Sequence, residues 1–388
     1  MSHALHIKYP AIADLARQAK RRIPHFAWEY LDSGTGIEDC VPRNRDAFSK
    51  VLMTPEFMKG SFEPNVRTRL LGVEYDQPFG VAPVGFTGLM WPEAEKILAS
   101  ACAKHRIPYS LSTVATETPE TVGPLSNGMG WFQLYPPHRK ALRQDLLKRA
   151  KDSGFTTLIV TADVPTGSRR ERQTRAGVTV PPKKDLRMIY HAAIRPFWTM
   201  ATLRYGEPSF RTLEKYLDAK DIQNMTAFMA KELAGTLDWD YLKAVREEWD
   251  GPILLKGILS VEQAIQAQQA GLDGVIVSNH GGRQFDAAPA SIDMLPLIKA
   301  AVGDQMSVLL DSGVRSGLDI ARAIALGADF VLMGRPFIYG VAALGEAGGD
   351  HTIEILSEDL RNNMIQLGCR NLSELSSRLI NTKQTIHK

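Results

Sequence analysis

Short apolar runs rich in β-branched and aromatic residues recur along this chain, and each is followed by a stretch with helical periodicity. The runs are Phe79–Pro83, Pro108–Thr113, Trp131–Tyr135, Thr157–Asp163, Ile253–Gly257, Gly274–His280, Ser307–Ser312 and Phe330–Gly334. Between them lie mixed charged and apolar stretches such as Pro92–His105, Arg139–Ser153 and Tyr241–Trp249. Strand–helix alternation implies parallel strands joined by helical crossovers. Eight such units predict an α/β fold closed as a (β/α)8 TIM barrel, with an open doubly wound sheet as the alternative.

Two parts fall outside the repeat. Residues 1–75 form an N-terminal extension that reads as partly helical, with the stretch Ile12–Arg22 and the turn Asp32-Ser33-Gly34. Residues 166–236 separate the fourth strand from its helix, far more than the usual few-residue loop, so they read as a functional insertion or mobile segment at the barrel mouth. The barrel itself is assigned to 76–345 and C-terminal helices to 346–388, the whole being one domain. Within the insertion, Ile189, Ala193, Phe197 and Trp198 recur at near-helical spacing, and Arg187, His191 and Arg195 recur every four residues on another side. Pro196 interrupts the pattern, which predicts a short helix and a turn rather than one rod.

Composition narrows the function classes. At 388 residues and 44% hydrophobic, the chain can bury the core of one elaborated barrel. A net charge of +3 without a dense Lys/Arg block argues against a nucleic-acid partner. Cys40, Cys102 and Cys369 have no metal-ligand spacing and read as reduced thiols, two of them buried, in a cytoplasmic protein. No apolar core precedes Asp14 and Arg17, so no signal peptide is expected. No run approaches the roughly 20 residues of a membrane span. The fingerprints of Rossmann enzymes, P-loop NTPases, zinc hydrolases and Ser hydrolases are missing.

The richest chemistry lies in Ser278-Asn279-His280-Gly281-Gly282-Arg283-Gln284, directly after the run Gly274–Val277. A base beside a fixed guanidinium suits proton removal next to a carboxylate, and the glycines permit a tight turn and close ligand approach. At the seventh and eighth strand ends, Asp311-Ser312-Gly313-Val314-Arg315 and Gly334-Arg335 combine backbone N–H groups with two guanidiniums, the makings of a phosphate site. Lys256 ends an apolar strand and requires an anionic partner, either a ligand or a carboxylate inside the barrel.

The string around His280 resembles the active-site signature of the FMN-dependent 2-hydroxy-acid dehydrogenases and oxidases, a family that includes glycolate oxidase and the lactate and mandelate dehydrogenases. The resemblance runs from about Tyr9 to Ser377. It implies FMN as cofactor and a small 2-hydroxy acid as substrate, with His280 as base supported by Asp163, which would raise its pKa. Either the Cα proton or the hydroxyl proton could be the one removed. By the same resemblance, Arg283 and Arg170 hold the substrate carboxylate, Arg169 and Arg172 being competitors for the second role, and Tyr30 and Tyr135 contact the substrate. Ala82, Pro83, Val84, Ser112, Gln133 and Thr161 fall at flavin-ring positions, and Lys256 near flavin N1, with Ser278 beside it. Asp311, Ser312, Gly313, Arg315, Gly334 and Arg335 fall at the phosphate end. No metal is implied, and the family assembly is a homotetramer.

Two departures bear on specificity. Val114 stands where the plant-type oxidases carry Trp, which favours lactate or larger acids over glycolate. Gly85 stands where oxidases tend to have Ala, which favours quinone or another carrier over O2. Membrane-associated members of the family use an insertion at this place to contact the bilayer, so residues 180–215 are expected to lie peripherally on the cytoplasmic face of the inner membrane, the alternative being a lid packed over the barrel mouth or a subunit contact. The alternatives are a soluble O2-using oxidase, another FMN barrel such as type 2 isopentenyl diphosphate isomerase, and a non-catalytic flavin-binding barrel.

Overall fold

A computed structural model describes residues 3–178, 185–218, 225–235 and 237–380. Eight parallel strands close into a barrel in chain order: β1 (Phe79–Val81), β2 (Tyr109–Ser112), β3 (Gly130–Leu134), β4 (Thr157–Thr161), β5 (Ile253–Ile258), β6 (Gly274–Val277), β7 (Ser307–Leu310) and β8 (Phe330–Met333), with β8 pairing back onto β1. The barrel is therefore the predicted (β/α)8 architecture. Strands β6 and β7 stop short of their apolar runs, and beyond them the chain turns left-handed at His280 (φ 57°) and Ser312 (φ 77°).

Period-two alternation along each strand sorts the side chains. Trp131, Ile159, Leu254, Ile276, Leu309, Phe330 and Leu332 form an apolar plug inside the barrel. The alternate residues, such as Phe132, Leu158, Leu255 and Val275, belong to the larger core between strands and helices. Two positions after the inward apolar residues come polar ones: Gln133, Thr161, Lys256, Ser278 and Asp311, all buried. The interior thus changes from apolar at its base to polar toward the C-terminal mouth.

The N-terminal region is not only helical. A two-stranded antiparallel hairpin (Thr68–Leu70 with Val73–Tyr75) closes the bottom of the barrel. Its Tyr75 is buried, and its hydroxyl accepts a 3.2 Å hydrogen bond from the Trp131 indole. Burial raises the Tyr75 pKa to about 12, so it remains a neutral part of the plug. The expected helix appears at Ile12–Arg22, and a second at His25–Asp32 carries Tyr30 to the mouth.

The long segment after β4 is largely helical. Helices Leu186–Ala193 and Pro196–Tyr205 are separated at Ile194–Arg195, with Pro196 in the first turn of the second, where its missing N–H costs nothing. The break therefore lies where Pro196 predicts it, but a second helix follows instead of a turn. Ile189 and Phe197 are exposed, as is Leu203, at 57%, 65% and 80%. Trp198 departs from the expected outer stripe. It is buried, its indole donates to the Leu89 carbonyl at 3.0 Å, and its ring meets Phe26 edge-on. Residues 180–184 of the expected membrane segment lie outside the described residues. No helix among the described residues is long and apolar enough to cross a membrane. All three cysteines are buried and free, where two were expected to be buried.

Candidate active site

A cavity of about 460 Å³ opens at the C-terminal ends of the strands, roofed by Phe210, Met229 and Leu233 of the long insertion. On one side His280 faces Asp163, with Nδ1 and Oδ1 2.9 Å apart. The turn that presents His280 is built from three successive left-handed residues, His280, Gly281 and Gly282. Room for Asp163 is made on the neighbouring strand: Gly257 (φ 99°) sits at a register shift in β5, and a Cβ there would lie 2.5 Å from the Asp163 side chain.

Asp163 raises the His280 pKa, as expected, but the net shift of the imidazole is downward. Burial pushes the imidazole below its ordinary value, Lys256 and Arg170 push the same way, and Asp163 only opposes them. Burial alone would raise the Asp163 pKa, but His280 and Lys256 outweigh it and hold the carboxyl below its usual value. An ionised Asp163 accepting from Nδ1–H of a neutral His280 satisfies both shifts. That arrangement leaves Nε2 with its lone pair available, as a proton acceptor requires.

Arg283 lies over the Tyr30 ring, 5.4 Å from its centroid, and donates to the Tyr30 and Ser33 carbonyls at 2.8 and 3.1 Å. Arg170 donates to Ser168 Oγ at 3.0 Å and to Gln284 Oε1 at 3.3 Å. The competitors are accounted for elsewhere: Arg169 is exposed, and Arg172 is tied to Glu29, Asp32 and Glu38. Gln284 was not singled out from sequence. It links Arg170 to the Asp163 carbonyl, to which its Nε2 donates at 3.1 Å, and its place one residue after Arg283 was the available signal. The Tyr30 hydroxyl donates to the Gly85 carbonyl at 3.2 Å. Tyr135 lines the same cavity, its pKa raised to about 12 by burial.

Beneath lies a continuous polar layer. Ser112 Oγ donates to Gln133 Oε1 at 2.8 Å, and Gln133 Nε2 donates to Thr161 Oγ1 at 2.9 Å. Lys256 donates to Ser278 Oγ at 2.9 Å and pairs with Asp311 at 3.1 Å. Thus Lys256 has a carboxylate partner inside the barrel and also lines the cavity. Burial would lower its pKa, but Asp311 and Asp163 more than compensate, so it stays an ammonium.

At the far end Ser312, Gly313, Arg315, Gly334 and Arg335 meet, with Ala82, Pro83 and Val84 forming the adjoining wall. Arg335 donates to the Gly281 and Ser33 carbonyls at 2.9 and 3.0 Å, and Arg315 to that of Val314 at 2.8 Å. Gly334 caps the N-terminus of helix Arg335–Leu344. Ser312 bridges the strand ends, donating to Asp311 and accepting from the Gly281 N–H.

Arg170, Arg283, Arg315 and Arg335 all line this one cavity, yet none makes an ion pair among the described residues. Burial and mutual repulsion lower the pKa of Arg283 and Arg315. Clustered, desolvated guanidiniums without counter-charges are the electrostatic complement of anionic ligands. Their positions divide into two groups, one beside His280 and one at the β7–β8 mouth.

A model of the FMN-dependent dehydrogenase family matches residues 19–382. The chain is 36% identical to an L-lactate dehydrogenase of Pseudomonas aeruginosa, covering 95% of this chain and 97% of that protein. It is 35% identical to an L-lactate dehydrogenase of Xanthomonas campestris pv. campestris, covering 94% and 95%. Among solved structures, the monotopic membrane protein (S)-mandelate dehydrogenase superposes with a TM-score of 0.90 at 32% identity, covering 96% of this chain and 99% of that one. A mandelate oxidase superposes with a TM-score of 0.82 at 33% identity, covering 96% and 98%. The residues present fit FMN: two guanidiniums and a helix N-terminus for a phosphate, a narrow wall at β1, and a buried ammonium beside a hydrogen-bonded polar layer. This chain belongs to the FMN-dependent dehydrogenase family.

Proposed function

We propose that this protein oxidises L-2-hydroxy acids, lactate or larger, to 2-oxo acids and passes the electrons to quinone or another carrier. The observation that carries the reading is the meeting of His280, held by Asp163, with the unpaired guanidiniums of Arg170 and Arg283 in one cavity. FMN supplies the two-electron acceptor when bound. Ser312, Gly313, Gly334, Arg315 and Arg335 hold its phosphate, with Asp311 positioning Ser312. Ala82, Pro83, Val84, Ser112, Gln133 and Thr161 border its ring, and Lys256, beside Ser278, provides positive charge there. Arg283 and Arg170 grip the substrate carboxylate, a planar fork being suited to two parallel bonds. Tyr30 and Tyr135 orient the reacting end. His280 accepts the proton, and the ionised Asp163 stabilises the imidazolium that forms. Relatives at 35–36% identity bear the name L-lactate dehydrogenase, which supports the substrate class.

A membrane-surface location accords with the exposed Leu186, Ile189, Phe197 and Leu203 beside Arg187, His191 and Arg195, and with the monotopic membrane relative. In this reading the enzyme is a single-domain homotetramer lying peripherally on the cytoplasmic face of the inner membrane. Anaerobic mixing of the yellow protein with glycolate, L-lactate, L-2-hydroxyisocaproate and L-mandelate tests the chemistry. Bleaching of the flavin absorbance is expected, and a protein that stays yellow with every acid is a flavin binder without this activity. Faster reoxidation by a soluble quinone than by air is expected, and the reverse order identifies an oxidase.

A further inference from the structure

The two guanidiniums beside His280 are held in different ways. Arg283 is fixed by backbone, donating to the Tyr30 and Ser33 carbonyls at 2.8 and 3.1 Å. Arg170 stands off the strands, at the residue before the short helix Glu171–Arg175. Among the described residues its guanidinium is held by two side chains, Ser168 Oγ at 3.0 Å and Gln284 Oε1 at 3.3 Å. Ser168 belongs to the same loop as Arg170. Gln284 comes from the turn after β6 and is its hold from another part of the chain.

The partners of Gln284 dictate which way its amide faces. A guanidinium only donates, so Oε1 faces Arg170; a carbonyl only accepts, so Nε2 donates to Asp163 at 3.1 Å. Gln is the uncharged side chain that supplies an acceptor and a donor from one planar group at this length. An ionised Glu offers acceptors alone, Met neither, and Asn is a methylene short. The turn after β6 therefore grips Asp163 twice: His280 Nδ1 at the carboxylate, 2.9 Å away, and Gln284 at the carbonyl. The same Gln284 amide reaches Arg170, so one planar group ties the carboxylate clamp to the base pair. Gln284 itself lines the cavity. A bound acid reacts only if its carboxylate and its reacting carbon are placed together, and this tie fixes the offset between the two groups that place them.

We propose that Gln284 is a positioning residue, holding Arg170 in register with the Asp163–His280 pair so that the clamp presents the substrate to the base. This rests on the reading of the cavity as a 2-hydroxy-acid site.

Anaerobic flavin reduction of the holoenzyme by L-lactate and L-mandelate tests it through a double-mutant cycle. Gln284→Met should raise the half-saturating acid concentration about 10-fold, the scale of a hydrogen bond to a charged group. In an Arg170→Met background the same change should cost less than about 2-fold, because its effect runs through Arg170. An equal loss in both backgrounds makes Gln284 a support of the turn alone and overturns the proposal. Gln284→Glu is nearly isosteric and decides the matter if the Met variant loses its flavin. It should pair with Arg170 and weaken binding of the acid. Of the charges acting on His280, Asp163 favours protonation while Lys256 and Arg170 oppose it. Neutralising Arg170 should therefore also move the acid limb of reduction to higher pH. Unchanged half-saturation and an unmoved limb in Gln284→Glu overturn the proposal, with the wild-type reduction standing. A wild type that neither acid nor any other 2-hydroxy acid reduces overturns the reading of the site, and this assignment with it.

Discussion

Asp163 accepts from His280 Nδ1 at 2.9 Å in a site whose other charges, Lys256 and Arg170, oppose protonation of the imidazole. Asp163 therefore orients the ring and fixes its tautomer without holding a proton on it. Replacing His280 by Ala should leave FMN bound and slow flavin reduction by at least ~10²-fold, the usual scale of a general-base contribution. Single-turnover mixing that shows near-normal reduction removes His280 from the mechanism.

The pH dependence follows from the same geometry. The free-enzyme base works when neutral, and its pKa lies below the ordinary histidine value. The rate at limiting substrate should therefore rise with pH along an acid limb below about 6.5 and then stay flat through neutrality. Asp163→Asn removes the one charge that favours the protonated ring. It should move that limb to still lower pH while lowering the plateau, because the imidazolium formed during turnover loses its counter-charge. A limb above the ordinary histidine value in the wild type contradicts this assignment.

Arg283 and Arg172 make opposite predictions although both sit near the mouth. Arg283 has no carboxylate partner among the described residues, so Arg283→Lys should cost about 10–100-fold in kcat/KM despite the retained charge, because the planar fork is lost. Arg172 is matched to Glu29, Asp32 and Glu38, so Arg172→Lys should lower Tm with little change in kcat/KM. Equal kinetic damage from both would mean the Arg283 effect is structural.

Substrate size should be set where Val114 packs over Gly85. A Cβ at Gly85 would lie 2.5 Å from Val114 Cγ2, so the two positions share one space. Gly85→Ala alone should impair flavin reduction, and adding Val114→Ala should restore much of it. Val114→Trp should fill the cavity and favour glycolate over lactate or larger acids. A wild-type enzyme that already prefers glycolate refutes the size argument, as the kcat/KM series would reveal.

Membrane association is best tested on the outer face alone. Phe210 lines the cavity and the Thr212 hydroxyl holds the Glu117 carbonyl at 2.8 Å, so cutting out all of 180–215 would also open the active site. Changing Leu186, Ile189, Phe197 and Leu203 to Ser should abolish sedimentation with anionic liposomes while the flavin and its reduction by substrate persist. Sedimentation that survives all four changes locates the contact elsewhere.

Much of this protein was legible in one dimension because a strand has a period of two. Each run that contains Gln133, Thr161, Lys256, Ser278 or Asp311 carried an apolar residue two positions before it. Once the barrel is closed, that spacing alone points each polar side chain inward and toward the mouth. The turn at His280-Gly281-Gly282 announced itself by its glycines, and Arg283 by its place beside the base. Tertiary structure decided what local pattern cannot hold. Arg170 and Arg172 are indistinguishable as sequence, and only the arrival of Glu29, Asp32 and Glu38 from the N-terminal extension neutralises one and leaves the other for a ligand. Trp198 shared the apolar stripe with Phe197, yet Leu89 and Phe26 draw it inward. The sign of the His280 shift depended on burial and on Lys256 and Arg170, which reach it from other parts of the chain. Periodicity reports which way a side chain points; charge compensation and desolvation depend on what meets it there, and those partners are brought together only by the closed barrel.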